Sequence, residues 1–178
     1  LIPRPETEEL VRWVAEAARG QRFLDVGTGS GCIAISLKLR RPEATVCAWD
    51  ISPEAIDVAH KNAECLGADV QFEVQDLFTA PPKPATVVVS NPPYICEKKR
   101  VEMATHVVHF EPEQALFVPD DDPLCYYKAL AQLGAEEVFV EINAALRQAT
   151  ADAFRAAGYQ QIVCRKDEFG KDRFIYAC

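Results

Sequence analysis

The 178-residue chain contains no run of about 18 apolar residues, so no segment of it reads as a helix able to cross a bilayer. Basic residues are in short supply: 19 Lys and Arg stand against 27 Asp and Glu, a formal net charge of −8. Holding a nucleic-acid backbone takes concentrated Lys and Arg. The compact basic patches are Lys38-Leu39-Arg40-Arg41 and Lys98-Lys99-Arg100, so nucleic acid is an unlikely partner. The seven cysteines include no CxxC pair and are scattered through apolar segments. Reduced core cysteines in a cytoplasmic protein are therefore expected, rather than disulfides or zinc. Histidine is scarce as well; His106 and His109 lack a carboxylate at ligand spacing, and no metal is expected. There is no internal repeat, no basic-then-apolar leader pattern and no initiator Met before Leu1-Ile2-Pro3-Arg4, which reads as the start of a fragment.

What remains is the composition of one globular domain, 49% hydrophobic and 26% charged, long enough to bury roughly 70% of its unfolded surface. Hydrophobic periodicity and punctuation predict a helix over 5–19 stopped by Gly20, a strand over 23–26 entering a glycine cluster, and a helix over 31–40. A strand follows at 45–49. Ser52-Pro53 then caps a helix running to about Leu66, before Gly67. Strands are expected at 70–74 and 86–89, separated by the irregular Ala80-Pro81-Pro82-Lys83-Pro84. Residues 95–122 read as a long loop. Beyond it come a helix over 124–133, a strand over 137–142, a helix over 144–157, and two β-rich runs at 161–165 and 174–177 with no helix between them. The alternation implies an α/β fold with a mostly parallel sheet covered on both faces and one antiparallel strand at the end.

The glycine cluster is Asp25-Val26-Gly27-Thr28-Gly29-Ser30-Gly31. Glycines at alternate positions let the backbone turn sharply out of the strand and let a ligand approach closely, beside the amides of a helix N-terminus. The spacing is one residue tighter than GxGxxG, which favours an adenosyl ligand without a pyrophosphate over a dinucleotide. Asp50 ends the next strand, 19 residues after Gly31, where a carboxylate can accept from two ribose hydroxyls. Asp76 ends the third, where a carboxylate can accept from an adenine amine while the Leu77 amide faces a ring nitrogen. Three consecutive strands thus each deliver a suitable group to the edge at which open α/β sheets bind ligands.

The fourth strand runs into Asn91-Pro92-Pro93-Tyr94. The prolines fix the backbone and remove two amide donors. The Asn91 side-chain oxygen and the Pro92 carbonyl form a pair of acceptors able to grip both hydrogens of a planar NH2, and Tyr94 offers a face to stack it. With this motif the chain resembles the class I methyltransferases that use S-adenosyl-L-methionine (AdoMet) on amino groups of amides and bases. More narrowly, Ile2-Pro3-Arg4-Pro5-Glu6-Thr7-Glu8 resembles the opening of the catalytic domain in the HemK/PrmC family, which methylates the glutamine of the Gly-Gly-Gln loop of peptide chain release factors. The likeness continues through Glu111-Pro112, Ala115-Leu116, Glu141-Ile142, Asp167, Gly170 and Arg173.

The resemblance implies a Rossmann-like domain with a seven-stranded sheet occupying residues 1–178, AdoMet as cofactor, S-adenosyl-L-homocysteine as its product, and a release factor as protein substrate. The candidate cofactor residues are Gly27, Thr28, Gly29, Gly31, Asp50, Ile51, Asp76, Leu77 and Asn91. The candidate catalytic and substrate residues are Asn91, Pro92, Pro93 and Tyr94. The family's small helical N-terminal domain is not found before Leu1. Where the family has Gly and Gln after Glu141-Ile142, this chain has Asn143 and Leu146. Two other readings stay open: an adenine-N6 methyltransferase on DNA or RNA, since adenine presents a similar NH2, and a catalytically silent AdoMet-binding module.

Overall fold

The computed structural model describes residues 4–80, 87–96 and 117–178. The chain opens with α1 (Pro5–Ala17), then alternates β1 (Arg22–Val26), α2 (Cys32–Arg40), β2 (Thr45–Asp50), α3 (Pro53–Leu66), β3 (Gln71–Val74) and β4 (Val87–Ser90). After it come α4 (Cys125–Gln132), β7 (Glu137–Glu141), a 3-10 turn (Ala144–Leu146), α5 (Arg147–Ala156), β8 (Ile162–Lys166) and β9 (Asp172–Ala177). Between β4 and α4, β5 (Ile95–Cys96) pairs in parallel with β6 (Phe117–Val118), apart from the main sheet. The sequence reading has only a loop there, because two-residue strands carry no periodicity to detect. Among the described residues no helix is long and apolar enough to cross a membrane.

Seven strands form one sheet in the order β3-β2-β1-β4-β7-β9-β8. All neighbouring pairs from β3 to β7 are parallel; β9 runs antiparallel to both β7 and β8. This is the expected sheet with its single reversed strand. Chain order reverses between β1 and β4, which makes the carboxyl edge there the natural crevice for a ligand.

Strand alternation sends side chains to two cores. Leu10, Val11 and Val14 of α1 and Ile33, Ala34 and Leu37 of α2 pack on Phe23, Val46, Val87, Val89 and Phe139 on one face. Tyr127 and Leu130 of α4 and Phe154 of α5 pack on Leu24, Val26, Val88, Val138 and Val140 on the other. β4 and β7 sit in mid-sheet and are buried along their whole length. That explains the uninterrupted β-branched run Val87-Val88-Val89. The predicted cap of α3 is present, Ser52 Oγ accepting from the Ala55 amide at 3.1 Å with Pro53 next and Gly67 left-handed at the end. One expectation changes: the six described cysteines are all free, but each is half-buried or exposed, and none belongs to the fully buried core.

Candidate active site

Loops at the carboxyl edge bring the candidate residues together. Gly27, Gly29 and Gly31 all adopt positive φ, at 74°, 56° and 83°, a conformation that L side chains rarely take. The Gly27 and Thr28 amides both donate to the Trp49 carbonyl at 2.9 Å, lashing the turn to the end of β2. The three glycines differ in their surroundings. A Cβ on Gly31 would stand 2.9 Å from Ile35 Cδ1 and 3.1 Å from Ala59 Cβ, so packing of α2 against α3 requires its absence. A Cβ on Gly27 or Gly29 would meet nothing within 4 Å. Those two glycines leave open space where a ligand can lie against backbone.

Asp50 is held by this turn. Its Oδ2 accepts from the Gly29 amide at 2.8 Å and its Oδ1 from the Ser52 amide at 3.0 Å. Each oxygen retains a lone pair for an incoming hydroxyl. Ile51 beside it is an apolar side chain that is 55% exposed. Asp76 lies two residues past β3 and organises the following turn: its Oδ1 accepts from the Phe78 amide at 2.9 Å and its carbonyl from Thr79. Leu77 packs inward on the α4–α5 side. Phe78 stays 53% exposed and meets Tyr126 edge-to-face at 5.1 Å. Burial first, then the neighbouring Cys125 and the Asp76 and Asp50 carboxylates, raise the pKa of the Tyr126 hydroxyl. This aromatic pair therefore stands over the same edge. The sequence reading missed it, because Tyr126 and Phe78 sit in no motif.

Asp25 is a second omission. It is fully buried at the end of β1, on the α1–α2 face. Its Oδ2 accepts from Thr28 Oγ1 at 2.6 Å and from the Ala34 amide at 3.2 Å, whereas its Oδ1 has no partner. Burial outweighs those bonds and pushes its pKa up to about 7. An orphaned carboxylate oxygen beneath a glycine turn is suited to meet a cationic ligand group. Thr28 is thereby turned inward. Cys32, next along, has its thiol pushed up to about 11 by burial and by Asp25, which disqualifies it as a nucleophile.

β4 delivers Asn91 to the same edge, its last residue Ser90 tied to the Val26 carbonyl at 2.7 Å. Asn91 Nδ2 donates to Thr7 Oγ1 at 3.1 Å, and Thr7 Oγ1 donates to Glu141 Oε2 at 3.1 Å. Three elements meet here: the first turn of α1, the exit of β4 and the end of β7. Pro92 is buried and Pro93 half-buried. Tyr94 is largely covered; burial first, then the nearby Glu141 carboxylate, raise its hydroxyl pKa. Glu141 itself is buried, and burial pushes its carboxyl up to about 7 despite the Thr7 bond. His106, His109 and Glu111 lie outside the described residues.

The site so far is an open glycine turn, carboxylates at the ends of three successive strands and an Asn-Pro-Pro-Tyr exit from the fourth, and the comparisons bear on the chain as a whole. Residues 6–117 match the model of the methyltransferase small domain. A release factor glutamine methyltransferase from Bacteroides thetaiotaomicron is 48% identical over 99% of this chain and 67% of its own length. The chain belongs to that family of methyltransferases. Another release factor glutamine methyltransferase, from Leptospira interrogans, is 40% identical over 98% of this chain and 66% of its own. The chain thus spans about two thirds of the length of the curated relatives it matches. Among solved structures, the SAM-bound magnesium protoporphyrin IX methyltransferase of Synechocystis PCC 6803 superimposes with TM-score 0.67 at 17% identity, covering 96% of this chain and 76% of that one. The ribosomal protein L11 methylase of Lactobacillus delbrueckii gives 0.61 at 20%, covering 99% and 78%. At such identities these two speak for the fold.

Within a methyltransferase of this family the departure at Asn143 has a local explanation. Asn143 Oδ1 accepts from the Ala145 amide at 3.0 Å and caps the 3-10 turn that leads into α5. Its side chain is spent on the backbone. Leu146 closes that turn through its amide, bonded to the Asn143 carbonyl.

Proposed function

We propose that this chain carries the catalytic part of an enzyme that transfers a methyl group from AdoMet to the side-chain nitrogen of the glutamine in the Gly-Gly-Gln loop of a release factor. The observation that carries the reading is the Asn91–Thr7–Glu141 chain at the exit of β4. It engages Asn91 Nδ2 and leaves Oδ1 as the acceptor, the atom a substrate NH2 needs. The Pro92 carbonyl supplies the second acceptor, and Tyr94 packs on the flat amide.

The fit to AdoMet rests on three features of the turn. The orphaned Asp25 oxygen suits a ligand cation, the bare faces of Gly27 and Gly29 admit its backbone, and Asp50 is set to receive ribose hydroxyls. Asp76, Leu77 and Ile51, with Phe78 and Tyr126, bound the adenine end. AdoMet supplies an electrophilic methyl on a sulfonium. The protein's share is to position the nucleophile. An amide nitrogen is weakly nucleophilic because its lone pair is delocalised, and two acceptors on its hydrogens favour the charge that develops as it attacks.

The test is a labelling experiment on the full-length enzyme with labelled AdoMet. It is given a release factor, the same factor with the Gly-Gly-Gln glutamine replaced, and adenine-containing duplex DNA in separate reactions. Label in the first alone is expected. Label in DNA alone would transfer the reading to adenine, and label in none despite calorimetric AdoMet binding would make the chain a silent module.

A further inference from the structure

We propose that Thr7 and Glu141 are positioning residues: their hydrogen-bonded relay decides which end of the Asn91 amide faces the target nitrogen. This rests on the functional reading above, but the geometry that supports it is independent of the substrate's identity. An asparagine amide is nearly symmetric in shape, so packing alone cannot tell Oδ1 from Nδ2; only its hydrogen-bond partners can. Here the partner is a hydroxyl with one proton. Thr7 Oγ1 is buried and 3.1 Å from Glu141 Oε2. An ionised carboxylate only accepts, so it takes the Thr7 proton. The Thr7 oxygen then has only lone pairs to offer Asn91, at 3.1 Å, and selects Nδ2. Oδ1 is left to face the substrate.

The polarity runs the other way once Glu141 carries a proton. Its hydroxyl can then donate to Thr7, and the freed Thr7 proton can donate to Asn91 Oδ1. The amide turns over and presents donors to an NH2 that also donates. The relay is therefore a proton-dependent selector. The groups facing Glu141 come from every element around it: Arg4 and Glu6 at the start of α1, Arg173 of β9, Tyr94 after β4, and Tyr127 of α4, whose hydroxyl donates to the Glu141 carbonyl at 3.3 Å. Burial dominates over the two arginines and places the titration at about 7.

Thr7→Val, which keeps the shape and deletes the hydroxyl, and Thr7→Ser, which keeps the hydroxyl, separate this role from simple packing. With release factor and saturating AdoMet, T7V is expected to lose about a hundredfold in kcat while T7S stays within about fivefold of wild type. The AdoMet Kd by calorimetry should move less than about twofold in either. Wild-type kcat should fall on the acid side as Glu141 protonates, and the residual T7V activity should lack that limb. The second readout needs no turnover: the Asn91 side-chain NH2 signal in a nitrogen-15 spectrum should titrate with pH in wild type and not in T7V. A wild type that methylates nothing would count against the functional reading alone, because the Asn91 signal still reports on the relay. The inference is overturned if that signal is pH-independent in wild type, if T7V keeps kcat, if T7S is as impaired as T7V, or if T7V loses AdoMet binding.

Discussion

Asp25 should make the unliganded protein less stable as pH rises through the neutral range, and Asp25→Asn should remove that loss. The folded protein holds the Asp25 proton up to about pH 7, whereas an ordinary carboxyl releases it at 3.8. Between those values the native state binds more protons than the unfolded chain, so unfolding becomes easier with rising pH. With respect to Asp25 the stability is greatest below about pH 4 and has fallen by about 4 kcal/mol once pH passes about 7, at about 1.4 kcal/mol per pH unit. An Asn at this position still accepts from Thr28 Oγ1 and the Ala34 amide. Its NH2, though, occupies the place where Oδ1 has no partner. An unpartnered buried donor costs about 1–3 kcal/mol. The net expectation is D25N less stable than wild type at about pH 4.5 and more stable by roughly 1–3 kcal/mol at about pH 8.

Urea unfolding of both proteins without AdoMet, across that range, measures the difference directly. Taking the difference matters, because Glu141 is also pushed up to about 7 and tilts the wild-type profile in the same sense. A cation of AdoMet beside Asp25 favours its ionised form. Wild type should therefore release a proton on binding near pH 7, seen as a calorimetric enthalpy that depends on the buffer. D25N should release none and bind about tenfold or more weakly. Parallel pH profiles for the two proteins would refute the assignment of the buried charge. Equal AdoMet affinity would refute its use in binding.

Four further substitutions probe the site and the fold that carries it. Asn91→Ala should keep AdoMet affinity while methyl transfer falls by at least about a hundredfold; collapse of binding instead would mean that Asn91 holds the cofactor rather than the target. Gly31→Ala forces a methyl against Ile35 and Ala59 at positive φ and should cost about 2–4 kcal/mol in chemical denaturation. Gly27→Ala has room around it and should instead weaken AdoMet binding more than it weakens the fold. Glu137 accepts from the Arg19 and Gly20 amides, Arg19 Nε and Tyr176 Oη. Burial raises its carboxyl, but these bonds outweigh it and hold the pKa below the usual value. E137Q should lower stability by about 2–3 kcal/mol above pH 5, a Tm loss of roughly 5–10 °C. The gap should close as pH falls through the carboxylate range, since the wild-type increment exists only when Glu137 is ionised.

What could be read from the residues, and what could not, divides along a physical line. The sheet was legible because its signals are local. Val87-Val88-Val89 announces a strand buried on both faces, Ser52-Pro53 a helix start, and the pair 161–165 and 174–177 a reversal without a crossover helix. The glycines and Asn91-Pro92-Pro93-Tyr94 were legible for the same reason, since each is a contiguous demand on backbone geometry. The residues missed act through partners distant in sequence. Thr7 is 84 positions from Asn91 and 134 from Glu141, and although Thr7 and Glu141 each stand in a stretch that carries the family resemblance, no spacing joins them to Asn91. Asp25 stands in the glycine motif itself, yet its significance is that Oδ1 lacks a partner, which no spacing reveals. Phe78 and Tyr126 meet across 48 positions only because α4 begins over the edge at which β3 ends. A motif reader thus finds the candidate atoms for ligand contact. The groups that set their orientation and charge appear only when the fold is closed, and for Asn91 it is those groups that determine whether the motif presents an acceptor or a donor.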